Sequence, residues 1–499
     1  MRRVRFALVV AAIAASVLTL HAQGIQAPVS ADSRWPLLTI VHLNDIYEIQ
    51  PVEGGKSGGP ARVATVLAYL RKAGFPVLTT LAGDYLSPSA LGTARVDGEP
   101  LAGRQMVDVL NTMGLDWATF GNHEFDVSEQ AFLAHLKQAK FRIVSSNVTD
   151  ANGQPFPGVP TSAIAAVTVG GRTVRIGFVG VTVPATQKSW VRYKDAIGAA
   201  REAIAGLRGK VDAIVALTHL SVAQDAEFAA ALPDVDVVLG GHEHENWNIR
   251  RGAHFTPIIK ADANVRSVAI VQLSFGGAGR RPTVTSSLKV IDDTIPSDPA
   301  VEAAAQRWIR IGFDAFRKEG FAPDAVVATT NEPLDGREST VRNRPGRLTD
   351  LITAAQAAEV KGTDCAIFNG GSVRIDDVLT PGPITEYDII RVLPFGGKIV
   401  GATLDGALLA KVLDVGQANA GIGGYLHAWG AKREGGVWTI HGKPLDAAGR
   451  YRVALTDYLL SGGETNLGFL TRTNPGVHDV QEFRDVRRAV IEMLAATYK

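Results

Sequence analysis

Residues 235–245, VDVVLGGHEHE, join a short, largely apolar run to a glycine turn and a group of polar side chains. The run Val235–Leu239 has the length and β-branched composition of a buried strand. The two glycines allow a tight turn, after which His242 and His244 follow two residues apart. Imidazoles at that spacing in an extended segment can point towards one site. By itself, the pattern does not distinguish a surface loop from a ligand site.

Other apolar runs in the first half of the chain also end in polar side chains. They are Leu37–Leu43 before Asn44-Asp45, Val77–Leu81 before Gly83-Asp84, Trp117–Phe120 before Gly121-Asn122-His123-Glu124-Phe125-Asp126, and Val211–Leu217 before Thr218-His219. Further strand candidates are Ile143–Ser146, Val174–Val181 and consecutive strands within Phe255–Val290, and helical patterns cover Arg62–Ala73, Gly103–Met113, Ser128–Ala139 and Lys194–Arg208. Apolar strands separated by helices predict a layered α/β domain with both sheet faces covered. Ligands gather at the carboxyl ends of strands in such folds, so the polar segments can converge on one site.

The charge balance and the cysteine count exclude several classes of protein. The 499 residues contain 51 Lys and Arg against 50 Asp and Glu, which argues against binding to nucleic-acid polymers. With 46% hydrophobic and 20% charged residues, the chain has globular composition, and at roughly 150 residues per domain it is long enough for two to four domains. Cys365 is the only cysteine, so a bound metal must be held by His, Asp, Asn or Glu.

The first 22 residues are predicted to be an export signal. Arg2, Arg3 and Arg5 precede the apolar run Phe6–Leu20, which is shorter than the about 20 residues that a membrane span requires. Cleavage after Ala22 would leave no membrane span, because no later stretch is long and apolar enough. The alternative is an uncleaved anchor, since Leu20 is larger than the small residue usual at that position.

A domain boundary is predicted near residue 292. The segment Asp292–Pro299 is polar, and Ser297 is a candidate N-cap for a helix over Ala300–Lys318. A second set of strand and helix patterns then runs from Asp324 to a closing helix at about Val486–Ala495. The sequence therefore predicts two domains joined by a helix.

The polar residues at the strand ends form a suitable set of metal ligands. Taken singly, a Gly-Asp is usually a turn, and a His after a strand is usually a hydrogen-bonded core residue. Together they supply oxygen and nitrogen donors that suit two divalent ions of the zinc, manganese or cobalt kind. These donors are Asp45, Asp84, Asn122, His219, His242 and His244.

These motifs, in this order, resemble the signature of the calcineurin-like metallophosphoesterases. The later segments Asn369-Gly370-Gly371-Ser372-Val373-Arg374, Pro394-Phe395-Gly396 and Ser461-Gly462-Gly463 resemble the C-terminal domain of the 5'-nucleotidase and UDP-sugar hydrolase family. The resemblance runs from about Leu38 to the end of the chain. It implies a layered metallophosphoesterase β-sandwich flanked by helices (35–292) after the signal (1–22). A linker helix region (293–328) then leads to a smaller α/β substrate-binding domain (329–499).

The resemblance also implies a role for each residue of the predicted metal site. Asp84 would bridge the two ions, Asp45 and His244 would complete one site, and Asn122, His219 and His242 would complete the other. A hydroxide on the metals would attack phosphorus in line with the leaving oxygen. His123 would stabilise the transition state or protonate the leaving group, and Asp126 would orient it. Asp126 has an alternative role as the N-cap of the following helix.

One position departs from the family pattern. The family has a His two residues after the first Asp, whereas this chain has Tyr47 after Asp45. A phenol, whose pKa is about 10, ligates poorly unless the metal deprotonates it. Either Tyr47 binds as a phenolate and favours a harder ion, or that metal has one protein ligand fewer and an extra water.

The second domain is expected to bind the substrate. Arg342 and Arg374 match family arginines that grip phosphate, for which a planar guanidinium is suited. Phe395 and Tyr458 match two aromatic positions that sandwich a base, with core packing as the alternative. Glu464 stands where the family has an aspartate that contacts ribose.

The predicted function is that of an exported, periplasmic or secreted dimetal hydrolase that removes phosphate from small nucleotides. Nucleoside monophosphates, 2',3'-cyclic nucleotides and nucleotide sugars all remain candidate substrates, and the sequence is silent on oligomeric state. One alternative is a thiosulfate-cleaving hydrolase of the same superfamily, although such a substrate needs no aromatic pair. The other is a degenerate nucleotide-binding protein that has lost a metal through Tyr47, although such a protein has no need of His123.

Overall fold

The computed structural model describes residues 37–184, 188–276 and 280–498, so the predicted export signal lies outside the described residues. The chain divides into two compact units. Of the described residues, those up to Ser87 form the first unit together with Gly103–Gln306, and Pro88–Ala102 form the second unit together with those from Arg307 onward. No helix within the described ranges is long and apolar enough to cross a bilayer. The domain boundaries inferred from the sequence stay a prediction.

The first unit contains two six-stranded sheets. One has the order Thr283–Val290, Ser267–Ser274, Leu37–Leu43, Val77–Ala82, Trp117–Thr119, Arg142–Ile143. The other has the order Trp247–Arg251, Thr256–Lys260, Val237–Gly240, Ala213–His219, Arg172–Thr182, Ser162–Val169. In each sheet four consecutive strands are parallel. A small ribbon pairs Val148–Asp150 with Val191–Tyr193.

The two sheets pack face to face around a shared apolar core. This core takes residues from both sheets, and the rings of Trp117 and Phe178 stack across it at 4.8 Å. Helices Ala196–Leu207 and Val222–Ala231 pack on the second sheet through a separate core. The remaining longer helices of this unit are Pro60–Lys72, Arg104–Met113 and Glu129–Gln138. The central strands are therefore buried on both faces, which explains why they are apolar throughout and confirms the predicted α/β sandwich.

Two local predictions in this unit were wrong. The strand expected at Ile143–Ser146 is only Arg142–Ile143. The backbone of Ser145 and Ser146 leaves that sheet and donates to the carbonyls of Pro160 and Gly180 instead. The linker helix spans Pro299–Lys318, and its first turn is capped by Asp298 rather than by Ser297. The Asp298 Oδ1 accepts from the backbone of Ala300 (3.0 Å) and Val301 (3.1 Å).

The second unit is built on one five-stranded sheet. Its order is Leu426–Trp429, Cys365–Asn369, Arg450–Thr456, Lys398–Asp405, Val477–Asp485. Helices Arg347–Glu359 and Val486–Thr497 contribute to one core, and helix Gly406–Ala418 contributes to another. Two-stranded ribbons pair Arg95–Val96 with Glu99–Pro100, Val326–Thr330 with Gly382–Thr385, and Leu334–Asp335 with Val378–Leu379, while Ala431–Glu434, Val437–Ile440 and Lys443–Pro444 form a meander. Short helices cover Ala90–Thr93, Glu338–Val341 and Glu386–Val392.

The stability of this unit is expected to depend on pH through His427. Its imidazole is buried and donates from Nε2 to the carbonyl of Val341 at 2.7 Å, and burial lowers its pKa from 6.5 to about 4. Between these values the unfolded chain binds more protons than the folded chain, so stability is retained above pH 6.5 and is lost as the pH falls towards 4. The expected slope approaches about 1.4 kcal/mol per pH unit.

Urea unfolding between pH 7 and pH 4.5 measures this effect. His427→Gln should flatten the pH dependence, whereas His254→Gln, at an exposed position of the first unit, should leave it unchanged. Equal slopes in the wild type and His427→Gln would contradict the assignment.

Candidate active site

The carboxyl ends of the central strands in the first unit bring acidic and histidine side chains into one buried cluster. One ligand atom from each of Asp45, Asp84 and His219 lies within 4.8 Å of the other two. The His219 Nε2 is 3.3 Å from Asp84 Oδ2 and 3.9 Å from Asp45 Oδ1. All three side chains are almost fully buried. The segments that the sequence predicted to converge therefore do converge.

The remaining predicted ligands surround this cluster. Asn122 Oδ1 lies 3.1 Å from His219 Nε2, and the ring of His242 lies 5.1 Å from that of His219, centroid to centroid. His244 Nε2 is 3.6 Å from Asp45 Oδ1. The backbone N–H of His242 donates to Asp45 Oδ2 at 2.9 Å, which joins the first and last motifs directly.

A hydrogen bond to a backbone carbonyl fixes the orientation of the His219 ring. Its Nδ1 donates to the carbonyl of Ala82 at 2.7 Å, so Nε2 is the nitrogen that faces the carboxylates. Such a backbone partner is the usual way in which a ligating imidazole is held in one tautomer.

Four of the six predicted ligands have a strained backbone. Asp45, Asp84, His242 and His244 have φ values of 53°, 56°, 82° and 60°, in the left-handed region that non-glycine residues rarely adopt. Gly241 also allows a close approach, because a Cβ there would lie 2.6 Å from the Ala82 carbonyl oxygen and 2.9 Å from Asp45 Oδ2. Strain of this kind is typical of functional sites.

The electrostatics of the cluster suit bound cations. Burial raises the pKa of Asp45. Burial opposes ionisation of Asp84 as well, but His219 and His123 outweigh it and hold the pKa of that carboxyl well below its usual range. Burial also lowers the pKa of His219, yet Asp84 and Asp45 raise it to about 9 overall. A protonated imidazole among carboxylates is an arrangement in which a divalent cation can take the place of the proton, so these residues fit the implied metals.

His123 and Asp126 form a pair beside the cluster. The Nδ1 of His123 lies 2.6 Å from Asp126 Oδ2, and the backbone N–H of His123 donates to Asp84 Oδ1 at 2.8 Å. The N-cap of helix Glu129–Gln138 is Ser128, whose Oγ accepts from Ala131 at 3.2 Å. The alternative that Asp126 caps this helix is therefore wrong.

Tyr47 points into the cluster. Its hydroxyl lies 2.9 Å from His244 Nε2, 3.1 Å from Asp84 Oδ2 and 3.4 Å from Asp45 Oδ1. The phenol thus lies among the predicted ligands of the first metal.

The sequence indicated no role for Glu124, although this residue directly follows Asn122 and His123. Its fully buried carboxylate accepts from four backbone N–H groups, those of Asp84, Tyr85, Leu86 and Gly121. Burial and the charge of Asp84 raise its pKa to about 7. Glu124 thereby ties the turn that carries Asp84 to the turn that carries Asn122 and His123.

The predicted substrate residues lie in the second unit. Arg342 pairs with Glu338, and Arg374 Nη1 lies 3.8 Å from the same carboxylate, a partner that the sequence did not indicate. The guanidinium of Arg374 lies 5.9 Å from the ring of Phe395. Phe395 and Tyr458 are 57% and 46% exposed, so core packing does not account for them.

Glu464 and Tyr458 are held by contacts within this unit. Glu464 is buried and accepts from Asn369 Nδ2 at 2.6 Å. The hydroxyl of Tyr458 donates to the carbonyl of Gly463 at 3.0 Å. Burial and the charge of Glu464 raise the pKa of Tyr458, while Arg374 partly opposes the rise.

Comparison with known proteins places both units in families. Residues 38–246 match the calcineurin-like phosphoesterase family, and residues 326–471 match the 5'-nucleotidase C-terminal domain family. The chain is 26% identical to the 5'-nucleotidase of Bos taurus, over 86% of this chain and 85% of that protein. It is 27% identical to the trifunctional nucleotide phosphoesterase protein YfkN of Bacillus subtilis, over 71% of this chain but only 28% of that longer protein.

A solved structure, that of a 5'-nucleotidase precursor from Thermus thermophilus, shares the fold. Its TM-score is 0.75 at 23% identity, and the match covers 93% of this chain and 97% of that one. The family matches at residues 38–246 and 326–471 show that the chain carries a calcineurin-like phosphoesterase domain followed by a 5'-nucleotidase C-terminal domain, and that it is a metal-dependent phosphoric ester hydrolase.

Proposed function

We propose that this protein removes phosphate from small nucleotides in the periplasm or outside the cell, using two divalent ions. The observation that carries the proposal is the buried cluster of Asp45, Asp84 and His219, with the His123–Asp126 pair joined to it through the backbone of His123. A cluster of metal-ligand type beside an oriented imidazole is an arrangement that can hydrolyse a phosphoester.

Each predicted ligand belongs to one or both of the two proposed metal sites. Asp45, Asp84 and His244 would hold the first ion, and Asp84, Asn122, His219 and His242 would hold the second. Divalent ions in such a site acidify a water molecule and neutralise charge on the phosphoryl group.

His123 supplies the proton chemistry. Its Nδ1–H is directed to Asp126 Oδ2, so Nε2 is the nitrogen that meets the phosphoryl oxygens or gives a proton to the leaving oxygen. The hydrogen bond to the carboxylate of Asp126 fixes the tautomer and the plane of the His123 ring.

The second unit recognises the nucleotide. The side chains of Arg342 and Arg374 are 24% and 19% exposed beside Glu338, so their guanidinium groups can meet an anionic group of the substrate. Phe395 and Tyr458 expose their rings, although burying an aromatic ring is favourable, which suits them to stack on a base. These exposed rings favour a nucleotide over thiosulfate, which has no surface to stack.

The test compares a nucleoside monophosphate with a small aryl phosphate in the presence of Mn²⁺, Zn²⁺ or Co²⁺. Phe395→Ala and Tyr458→Ala should each weaken nucleotide binding by about 1–3 kcal/mol, the range for base stacking on an aromatic ring. This loss should raise KM for the nucleotide, and the aryl phosphate should suffer less because it offers less surface.

The matched control is Phe255→Ala, since Phe255 is 69% exposed in the other unit and has no assigned role. It should leave both substrates unaffected. Equal losses on both substrates in the Phe395 and Tyr458 variants would indicate a packing role. If no nucleotide is hydrolysed with any of the three metals, the proposed function is wrong.

A further inference from the structure

Lys260 is a buried lysine at the carboxyl end of strand Thr256–Lys260, beneath the metal-ligand turns. Its side chain is 1% exposed. The Nζ donates to the carbonyl of Leu220 at 2.6 Å and to the carbonyl of Gly241 at 2.7 Å. Leu220 directly follows His219, and Gly241 directly precedes His242. One ammonium group thus bonds the backbone beside two of the predicted ligands.

The charge of Lys260 is balanced within the same pocket. Asp225 Oδ2, on helix Val222–Ala231, lies 3.0 Å from the Nζ and is fully buried. Glu243 Oε1 lies 3.8 Å away and also accepts from the backbone of Val222. A buried ammonium persists only when it is paired and hydrogen-bonded, and these contacts meet that requirement.

The backbone leaves room for this side chain. A Cβ at Gly240 would lie 2.9 Å from Lys260 Cε and 3.1 Å from Asp225 Oδ2. Because Gly240 has no side chain, the side chain of Lys260 can pass between the ends of two strands. A side chain at position 240 would displace it.

An ion pair in a core can also be purely structural, and a well-packed apolar replacement of both partners is often neutral. Two features distinguish Lys260. Its main hydrogen bonds go to backbone carbonyls rather than to its counter-ion alone, and both carbonyls adjoin a histidine of the same predicted metal site. The contact therefore sets the separation of the turns that carry His219 and His242.

We propose that Lys260 is a positioning residue for the metal site formed by Asn122, His219 and His242. This inference rests on the proposed function, in which those residues are ligands. Loss of the ammonium frees the two turns relative to each other, so this site weakens while the site of Asp45 and His244 keeps its affinity. Partners behind metal ligands typically contribute about 10–100-fold to metal affinity.

The experiment titrates Mn²⁺ into metal-stripped full-length protein by calorimetry. Lys260→Gln keeps an N–H donor group but loses the charge, and Lys260→Met loses both the donor group and the charge. The affinity of one of the two sites should fall by about 10–100-fold, more in the methionine variant than in the glutamine variant, with little change at the other site.

Arg281 supplies the matched control, because it makes the same kind of contacts at the opposite end of strand Val237–Gly240. It donates to the carbonyls of Pro233 (2.9 Å) and Val235 (2.6 Å) and pairs with Asp236 at 2.7 Å. Arg281→Gln should lower stability in urea without changing either metal affinity.

Unchanged affinities in the Lys260 variants, or equal weakening of both sites, would overturn the proposal. If the single variants do not fold, the double variant Lys260→Gln with Asp225→Asn removes both charges of the pair. The same Mn²⁺ titration is then applied to the double variant, with the same outcomes for and against the proposal. Failure of the proposed function is distinguishable, since it would show as absent metal binding or absent nucleotide hydrolysis in the wild type.

Discussion

Replacement of His123 by alanine is expected to lower turnover by about 10²–10⁴ while both metal ions stay bound, because a positioned acid–base group typically contributes that factor. Alanine keeps the backbone N–H that donates to Asp84 Oδ1, so the arrangement of the metal ligands survives. Only the imidazole and its link to Asp126 are lost. Steady-state kinetics with a nucleotide and elemental analysis of the same preparation measure both parts of the prediction.

Two further variants serve as comparisons for His123→Ala. Asp126→Asn keeps the size of the partner but removes its charge, and it should reduce turnover by a smaller factor than loss of the imidazole. His254→Ala, at an exposed position of the same unit, should leave turnover unchanged. Loss of the metals together with activity in His123→Ala would show that His123 belongs to the metal site instead.

Replacement of Tyr47 by histidine is expected to tighten the first metal site by about 70–900-fold, which corresponds to the free energy contributed by one ligand. Four-ligand zinc sites bind with about 10–16 kcal/mol, which is about 2.5–4 kcal/mol for each ligand. The Tyr47 hydroxyl lies 2.9 Å from His244 Nε2 and 3.1 Å from Asp84 Oδ2, so the side chain at position 47 is directed towards these predicted ligands. An imidazole is shorter than a phenol and ends before them, which leaves space for an ion between its nitrogen and these groups. A neutral imidazole ligates readily at pH 7, whereas a phenol must first lose its proton.

Metal titration of the stripped proteins measures this change, and Tyr47→Phe is the control because it keeps the ring and removes the hydroxyl. The wild type should hold one ion more weakly than the other and lose it first on mild chelation. Equal affinities at the two wild-type sites would refute the prediction. A visible charge-transfer band, with a large loss of affinity in Tyr47→Phe, would show instead that Tyr47 binds as a phenolate.

Much of the fold could be predicted from the sequence because the central strands are apolar on both faces. Strand Leu37–Leu43 has the predicted bounds, and His219 and His242 lie at strand ends as expected. The ligand cluster was predictable for the same reason, since the motifs all follow strands whose carboxyl ends meet.

The unpredicted features depend on partners that are distant in the chain. Lys260 bonds a carbonyl 40 residues away, and Glu124 accepts from the turn that begins at Asp84, also 40 residues away. Nothing local marks a lysine or a glutamate as buried, because these residues are usually exposed unless a distant partner pairs with them. The assignment of Pro88–Ala102 to the second unit likewise depends on contacts that no local pattern records.

The left-handed backbone at Asp45, Asp84, His242 and His244 has a consequence for how this protein tolerates mutation. Each such residue costs about 1–3 kcal/mol, against a typical folding free energy of only about 5–15 kcal/mol. Cations that bind the folded state alone offset this cost by mass action. Metal supply and fold stability are therefore coupled, so that a mildly destabilising substitution elsewhere in the first unit is tolerated when metal is abundant and becomes damaging when metal is scarce.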